Sequence, residues 1–233
     1  MLELKNIKAG YGKKVVLNDV SVTLKDNTIT VIMGANGAGK STLLKTAYGL
    51  LKPMAGDILL DGKKITASPQ SYVEQGIFCV PQGKRVFRNM TVMENLELAT
   101  HFWKDRSAFP ERLEEILAHF PDLKPRLEDL AGNLSGGQQQ MVALARGLIN
   151  KPRMVFMDEP SIGLAPKLTS DTFHKIKELK EALGTAFVIV EHNLKTLLPL
   201  TDWAYILEQG QVVYDGKSEG KTLEKMLSSV FKS

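Results

Sequence analysis

The feature that most constrains this chain is a glycine-rich loop between an apolar run and a helical pattern. Residues 29–33 are apolar and end at a glycine, as buried strands often do, and a helix is predicted over 40–51. Between them the chain reads Gly-Ala-Asn-Gly-Ala-Gly-Lys-Ser, which matches G-x-x-x-x-G-K-[ST]. Such glycines turn backbone N–H groups around a phosphate, and the helix N-terminus adds partial positive charge. The sequence therefore predicts a nucleoside-triphosphate site.

Different residues of this loop are expected to bind different parts of a metal–triphosphate complex. Lys40 supplies a full charge for the β- and γ-phosphates, and we expect the Ser41 hydroxyl to ligate Mg²⁺. An incidental glycine-rich turn is a weak alternative, because strand, loop, lysine, hydroxyl and helix all coincide. Kinases, GTPases, helicases and transport ATPases share this motif, so it does not name the reaction. The residues predicted to contact nucleotide are Gly34, Ala35, Asn36, Gly37, Ala38, Gly39, Lys40, Ser41 and Thr42.

Strand and helix patterns alternate along the rest of the chain. Short alternating runs up to about residue 26 predict antiparallel strands. The later alternation predicts an α/β fold with a largely parallel sheet covered on both faces. We expect one domain over 1–233, with a helical subdomain of approximately 88–150 inserted between two core strands. Helical patterns cover 110–123, the segment after 135 and 173–183, and strand patterns cover 57–60, 154–157, 187–190 and parts of 201–213.

Composition excludes several classes of protein. The chain has 233 residues and a single cysteine, Cys79, so neither an intrachain disulfide nor a paired-cysteine metal site is expected. The net charge of +4 without a concentrated basic patch argues against nucleic-acid binding. The first residues lack the apolar core of a signal peptide, and no run of about 18 apolar residues occurs. We therefore expect any membrane role to come through a partner.

Two adjacent carboxylates end a second apolar run. Asp158 and Glu159 follow Met154–Met157, where side chains at the carboxyl end of a parallel strand face the ligand crevice. Asp158 is suited to hold Mg²⁺, and Glu159 is suited to polarise an attacking water as a general base. An isolated Asp-Glu pair would be better explained as an acidic cap of the next loop. With the phosphate loop upstream, the functional interpretation is favoured.

A second turn of the chain also has the chemistry of a phosphate site. Residues 134–138 read Leu-Ser-Gly-Gly-Gln just before a helical pattern, which places a serine cap and two glycines at a helix N-terminus. This surface need not face the phosphate loop of its own chain. An ordinary capped helix would explain the pentapeptide alone, but not the ordered set of motifs.

With this pentapeptide the chain resembles the ABC ATPase family nearly end to end, and the fold that the resemblance implies is a RecA-like P-loop core. In that family two cassettes pair head to tail, and each ATP lies between one chain's phosphate loop and the other chain's signature turn. The resemblance implies that Ser135 and Gly137 touch the γ-phosphate bound to the partner. The signature residues implied to bind nucleotide are Ser135, Gly136, Gly137 and Gln138.

The resemblance assigns four further positions. Tyr11 matches the aromatic that stacks on adenine, and Val16 is expected on the same face. Gln82 matches the glutamine that reaches Mg²⁺ and links to the membrane subunit, and His192 matches the histidine that contacts the γ-phosphate. Taken alone, a tyrosine or histidine is more often structural, and Gln82 would be a polar loop residue. Order and spacing favour the functional interpretation. The implied Mg²⁺ ligands are Ser41, Gln82 and Asp158.

One departure from the family pattern points to a subfamily. Residues 161–166 read Ser-Ile-Gly-Leu-Ala-Pro, without the aspartate of the commoner Ser-Ala-Leu-Asp, so the resemblance does not extend to the cross-dimer role of that aspartate. This segment, residues 83–87 and residues 90–96 are similar to the shorter ATPase of branched-chain amino acid importers. Many such subunits carry Glu at Gln82 and Gln at His192. Related importers take urea or short amides, and ABC ATPases of DNA repair or translation remain an alternative. A non-hydrolytic regulator would be expected to lack Glu159 or Lys40.

The resemblance also implies partners and a location. ATP and Mg²⁺ are the expected ligands. Transmembrane permease subunits and a second ATPase, either a sister subunit or another copy, are the expected partners. A solute-binding protein is expected to take part indirectly, and no nucleic acid is expected. The chain would lie at the cytoplasmic face of the inner or plasma membrane, peripherally through the permease.

Overall fold

The computed structural model describes residues 1–66, 68–83, 86–192, 194–218 and 223. Lys84, Arg85 and Asn193, which belong to stretches that carry the family resemblance, lie outside these residues. The strands are β1 (Leu2–Tyr11), β2 (Lys14–Leu24), β3 (Ile29–Gly34), β4 (Ala55–Leu60), β5 (Lys63–Lys64), β6 (Ile77–Val80), β7 (Met154–Asp158), β8 (Ala186–Val190), β9 (Trp203–Glu208) and β10 (Gln211–Lys217). The α-helices are α1 (Lys40–Ala47), α2 (Pro69–Glu74), α3 (Val92–Glu97), α4 (Phe109–His119), α5 (Gly136–Leu148), α6 (Pro166–Leu183) and α7 (Leu194–Leu197). Short 3₁₀ turns cover Leu98–Thr100, Pro121–Arg126, Ala131–Asn133 and Leu198–Leu200.

The N-terminal strands form an antiparallel sheet, as their alternating pattern predicts. Among the described residues this sheet has four strands in the order β2-β1-β4-β5. Leu2, Leu4 and Ile7 of β1 are buried, while residues between them reach solvent. One face of the sheet therefore packs on the core and the other is hydrated, which is the arrangement that alternation favours.

The core sheet is mainly parallel and holds the carboxyl ends of three strands at one edge. In the part of the chain that the structure describes, its six strands run β10-β9-β3-β8-β7-β6, with only the β9–β10 pair antiparallel. Strands β3, β7 and β8 are buried along their whole length, which explains their continuous apolar sequences. Val190 pairs with both Ile32 and Asp158, so the loops after these strands begin side by side.

Helices α3, α4 and α5 lie between β6 and β7 in the chain, and two predicted helix ends were wrong. Helix α4 ends at His119 rather than 123, because Pro121 has no N–H and disfavours a helical conformation at Phe120, which has φ −127° and ψ 61°. Helix α1 ends at Ala47 rather than 51, because Gly49 adopts a left-handed φ of 75° that the helix cannot continue.

The predicted fold class is confirmed: an α/β domain with a parallel-sheet core, an N-terminal antiparallel sheet and helices between two core strands. The division into one domain with a helical subdomain over 88–150 stays a prediction. Within the described ranges, no helix combines the length and apolar character that crossing a bilayer requires.

Candidate active site

The glycines of the loop after β3 are required by close backbone contacts. Gly34 has a φ of 148°, and a Cβ there would overlap the carbonyl oxygen of Leu207. Gly39 has a φ of 104°, and a Cβ there would lie 2.8 Å from Cδ2 of Leu17. Any other residue would be strained at both positions. The loop is therefore pressed against β9 and β2, and it leads directly into the N-terminus of α1.

Lys40 is buried at the base of this loop. Its Nζ donates to the carbonyl oxygens of Gly34 and Ala35 at 2.9 Å each. Burial lowers the pKa of the Lys40 ammonium, while the charges of Glu159 and Asp158 act in the opposite direction. Both hydrogen-bond acceptors are neutral carbonyls, so a phosphate oxygen can replace them with a gain in charge complementarity.

Asp158 presents a buried carboxylate beside the loop. Its Oδ1 lies 3.4 Å from the Ser41 hydroxyl, which can donate to it. Burial raises the pKa of the Asp158 carboxyl, and the neighbouring Glu159 raises it further, against smaller opposing effects of Ser41, Lys45 and Lys40. A cation at this position would offset the repulsion between the neighbouring Asp158 and Glu159 carboxylates.

The donor set around Asp158 fits Mg²⁺ that arrives with a triphosphate. A carboxylate, a hydroxyl and the nearby Gln82 amide offer the hard oxygen ligands that Mg²⁺ prefers. Among the described residues, no cluster of three or more His, Cys, Asp or Glu side chains forms a complete metal site. The carboxylate, hydroxyl and amide would supply part of a coordination shell, which phosphate oxygens and water would complete.

Glu159 is held at both carboxylate oxygens. The Gln82 Nε2 donates to Oε2 at 2.6 Å, and the His192 Nε2 lies 3.0 Å from Oε1. An ionised carboxylate only accepts, so the tautomer that suits this contact has its hydrogen on Nε2. Glu159 itself has a left-handed φ of 48°, an uncommon conformation for a glutamate. The backbone and two side chains from separate loops thus fix the direction of this carboxylate.

Most of the predicted site residues meet at one cavity of about 350 Å³. Asp158 adjoins it through Ser41, and Gln82 adjoins it through Glu159. Gly34 and Ala35 face Lys40 through their carbonyls, and Ala38 is buried inside the loop. The residues lining the cavity are Tyr11, Lys14, Val16, Asn36, Gly37, Gly39, Lys40, Ser41, Thr42, Glu159 and His192.

The signature turn lies apart from this cavity. Ser135 caps α5 and forms a capping box with Gln138: the Ser135 hydroxyl accepts from the Gln138 N–H, and the Gln138 side chain accepts from the Ser135 N–H. Gly136 is exposed, and a Cβ on Gly137 would lie only 3.0 Å from Leu168. Of the described residues that line the cavity, none belongs to 135–138. The structure therefore does not bring the two predicted phosphate surfaces together within one chain.

Sequence reasoning missed one buried carboxylate at the site, Glu191. It is 3 % exposed, its Oε1 accepts from the His192 N–H at 2.7 Å, and its Oε2 accepts from the Ser161 N–H at 3.2 Å. The signal was a glutamate directly after the apolar run 186–190 and directly before the candidate histidine. Lys14, which begins β2 and lines the cavity, was also missed because nothing in the sequence distinguishes it from the adjacent Lys13.

Comparisons with known proteins agree with this geometry. The family model described as ABC transporter matches residues 17–162. The chain is 42% identical over 214 residues to the high-affinity branched-chain amino acid transport ATP-binding protein BraG of Pseudomonas aeruginosa, covering 91% of each chain. It is 36% identical over 235 residues to the probable branched-chain amino acid transport ATP-binding protein LivF of Archaeoglobus fulgidus, covering 99% of each.

Solved structures of ATP-binding cassettes have the same fold as this chain. An ATP-binding cassette of an ABC transporter in its ADP conformation superposes with a TM-score of 0.87 at 33% identity, over 100% of this chain and 96% of that one. A dimeric post-hydrolysis cassette bound to ADP and phosphate superposes with a TM-score of 0.79 at 28% identity, over 94% and 100%. Because the matched segment contains the phosphate loop, the signature turn and the acidic pair, the chain belongs to the ABC transporter family as an ATP-binding cassette with ATPase activity.

Proposed function

We propose that this chain is the ATPase of an ABC importer, and that it couples ATP hydrolysis at a head-to-tail dimer interface to the uptake of branched-chain amino acids. The proposed hydrolysis of ATP is supported by the Glu159 carboxylate, which lines the cavity at the phosphate loop and is held there by Gln82 and His192. The names of the two curated relatives support the cargo, as does the segment 161–166. We place the chain at the cytoplasmic face of the membrane, bound through its permease.

The adenine is expected at the outer end of the cavity. Tyr11 is half exposed there, and Val16 is partly buried beside it. An exposed tyrosine ring offers a flat surface on which a base can stack. The loop from Gly34 to Thr42 would then receive the triphosphate, with its N–H groups and the N-terminus of α1 facing the charge.

The metal is assigned to three oxygen donors. Ser41 lies 3.4 Å from Asp158, and the amide oxygen of Gln82 takes no part in the bond between Gln82 and Glu159. When bound, Mg²⁺ would neutralise charge that develops on the γ-phosphate. Asp158 would hold it through charge, and Ser41 would turn its hydroxyl from the carboxylate towards the cation.

Hydrolysis is assigned to Glu159 as the residue that orients and polarises water. A general base must lie within hydrogen-bond reach of the water, and this carboxylate opens onto the cavity. The Nε2–H of His192 would move from the carboxylate to the γ-phosphate, where it helps to hold the phosphate in line. Lys40 would exchange its two carbonyl acceptors for phosphate oxygens.

A second cassette, either another copy or a sister ATPase, is proposed to complete the site. The exposed signature turn and its distance from the chain's own cavity support this division. Ser135 and Gly136, at the N-terminus of α5, offer backbone donors and a hydroxyl to an anion on another chain. The solved cassette bound to ADP and phosphate is dimeric, which supports the pairing of two cassettes.

The permease is proposed to dock in an apolar groove beside Gln82. This groove of about 360 Å³ is bordered by Val73, Phe78, Phe87 and Phe102, and Phe102 is 74% exposed. It lies against β6, and Gln82 follows that strand by two residues. An apolar helix seated there would therefore act on the residue that holds Glu159.

Uptake in a strain that lacks this gene tests the cargo. Uptake of leucine, isoleucine and valine should fall, and the wild-type gene should restore it, while a Glu159→Gln gene should not. A loss confined to urea or a short amide would assign a related importer instead. Unchanged uptake of all three amino acids would contradict the proposal. Co-purification with ribosomes or DNA rather than a permease would identify an ABC ATPase outside transport.

A further inference from the structure

Glu191 is a buried carboxylate that bonds to two backbone positions on different loops. It follows β8 directly and is 3 % exposed. Its Oε1 accepts from the N–H of His192, and its Oε2 accepts from the N–H of Ser161, two residues after Glu159. Hydrogen bonds to an ionised carboxylate are stronger than neutral ones, and burial removes competition from water. One side chain therefore connects the loop after β7 to the loop after β8.

The two loops joined by Glu191 carry the two residues that meet at the cavity. Glu159 and His192 are 3.0 Å apart through side-chain atoms, and each lies within two residues of an N–H that Glu191 binds. A backbone bond from the Glu159 N–H to the Val190 carbonyl, 2.9 Å, lies beside this connection. The backbone bond sets the spacing of the strands, and Glu191 sets the spacing of the loops beyond the strand ends.

The connection also reaches the signature turn. Ser161 begins the segment 161–165, and in this segment Leu164 approaches Gly136, where a Cβ would lie 3.6 Å from Leu164 Cδ2. The loop that carries His192 is therefore tied, through Glu191 and Ser161, to the segment against which the signature turn rests. All the hydrogen bonds and contacts in this series lie within one chain.

We propose that Glu191 is a positioning residue for hydrolysis, which holds His192 and the segment after Glu159 as one unit. The inference rests on the proposed ATPase roles of Glu159 and His192. Glu191 touches neither substrate nor metal in this account, so its loss should leave ATP binding unchanged. It should slow turnover roughly a hundredfold, the loss typical when a catalytic group is misplaced by about 1 Å.

The test compares Glu191→Ala with Glu191→Gln and with Thr185→Val. Thr185 is buried at the other end of β8, and its hydroxyl donates to the Pro152 carbonyl at 2.8 Å, so its loss costs a structural bond without reaching the site. Phosphate release, binding of a fluorescent ATP analogue and amide hydrogen exchange are measured for each. Glu191→Ala should lower kcat, keep the analogue affinity within about twofold, and speed exchange in the peptides that contain Ser161 and His192.

Three results separate this inference from the proposed function. Glutamine keeps one carbonyl acceptor, so Glu191→Gln should lie between wild type and Glu191→Ala in both kcat and exchange. Unchanged exchange in a folded Glu191→Ala, or a loss of kcat no larger than that of Thr185→Val, would overturn the positioning role alone. A wild-type chain without ATPase activity would instead contradict the proposed function, and exchange would still decide whether Glu191 ties the two loops.

Discussion

The imidazole Nε2 of His192 lies 3.0 Å from Oε1 of Glu159, and both side chains open onto the cavity above the phosphate loop. Gln82 binds the other oxygen of the same carboxylate at 2.6 Å. Loops after three neighbouring strands, β6, β7 and β8, therefore meet at one group. A shift of the loop next to the apolar groove would move the proposed base directly, which offers a physical route from the proposed permease contact to hydrolysis.

Replacing Glu159 with glutamine should leave ATP binding intact and reduce turnover by at least about a hundredfold, the range expected for loss of a general base. The amide keeps the shape of the side chain but cannot accept a proton from water. Phosphate release and equilibrium binding of ATP are the measurements. Glu208→Gln, an exposed carboxylate at the end of β9, is the control and should behave as wild type. Wild-type turnover in Glu159→Gln would remove Glu159 from the mechanism.

Replacing Asp158 with asparagine should stabilise the nucleotide-free protein while abolishing Mg²⁺-dependent turnover. Burial and Glu159 raise the pKa of this carboxyl, so its charge opposes folding at neutral pH. Removing the charge should raise the Tm by roughly 2–4 °C, the shift that about 1 kcal/mol gives in a domain of this size. Thermal unfolding without nucleotide or Mg²⁺ measures this. A Tm below that of wild type would contradict the electrostatic account.

Much of the fold was predictable because its signals are local. Apolar runs mark β3, β7 and β8, and the glycine-rich loop between β3 and α1 marks the strand–loop–helix unit. Helix ends were less predictable. The helical pattern predicted for α4 runs to 123, but Pro121 has no N–H and the helix ends at His119, before the pattern does.

The residues of the candidate site could be predicted where they belong to a sequence motif. They could not be predicted where their role depends on a contact between distant parts of the chain. Spacing identified Lys40 and Glu159, and resemblance identified His192. Nothing in the spacing of Glu191 indicates that its carboxylate reaches Ser161, thirty positions away in the chain. That contact exists only because β7 and β8 are neighbours in the sheet.

Replacing Asn95 with alanine should destabilise the protein by about 2 kcal/mol, the effect of removing several hydrogen bonds from a fully buried side chain to partly buried backbone groups. Asn95 is fully buried; its Oδ1 accepts from the Phe87 N–H, and its Nδ2 donates to the carbonyls of Phe87 and Thr91. Urea unfolding measures the change. Asn133→Ala, an exposed asparagine before the signature turn, is the control and should stay within about 0.5 kcal/mol of wild type. A similarly small change for Asn95→Ala would contradict the assigned role.

Replacing Arg153 with alanine should lower stability by about 1 kcal/mol at neutral pH, with the difference from wild type shrinking in acid. Arg153 and the N-terminal ammonium hold the pKa of the Asp61 carboxyl well below its usual range. At Asp26, burial raises the pKa, but the same two cations outweigh it. Such carboxylates contribute stability above their unfolded pKa of about 3.9 and lose it as the pH falls through the lower folded pKa.

Unfolding free energies of wild type and Arg153→Ala between pH 7 and pH 3 check this prediction. The gap between the two unfolding free energies should be constant down to about pH 5 and should start to narrow below about pH 4, as the pH approaches the lowered folded pKa values. Lys52→Ala, at an exposed lysine that takes part in none of the ion pairs among the described residues, serves as the control and should leave the unfolding free energy close to that of wild type across this pH range. A gap that widens in acid would contradict the assigned ion pairs.

The central claim is that each ATP site is shared between two chains. The most direct test of this claim mixes two inactive variants, Lys40→Ala and Gly136→Asp. Gly136 is exposed, and a Cβ there meets only an ordinary contact at 3.6 Å, so the aspartate should fold while placing negative charge where a partner's γ-phosphate would lie. Each variant alone should be inactive. An equal mixture should recover about a quarter of wild-type turnover, because half of the pairs are mixed and each has one intact site. No recovery, at concentrations where the wild-type chain hydrolyses ATP, would contradict a site shared between two chains.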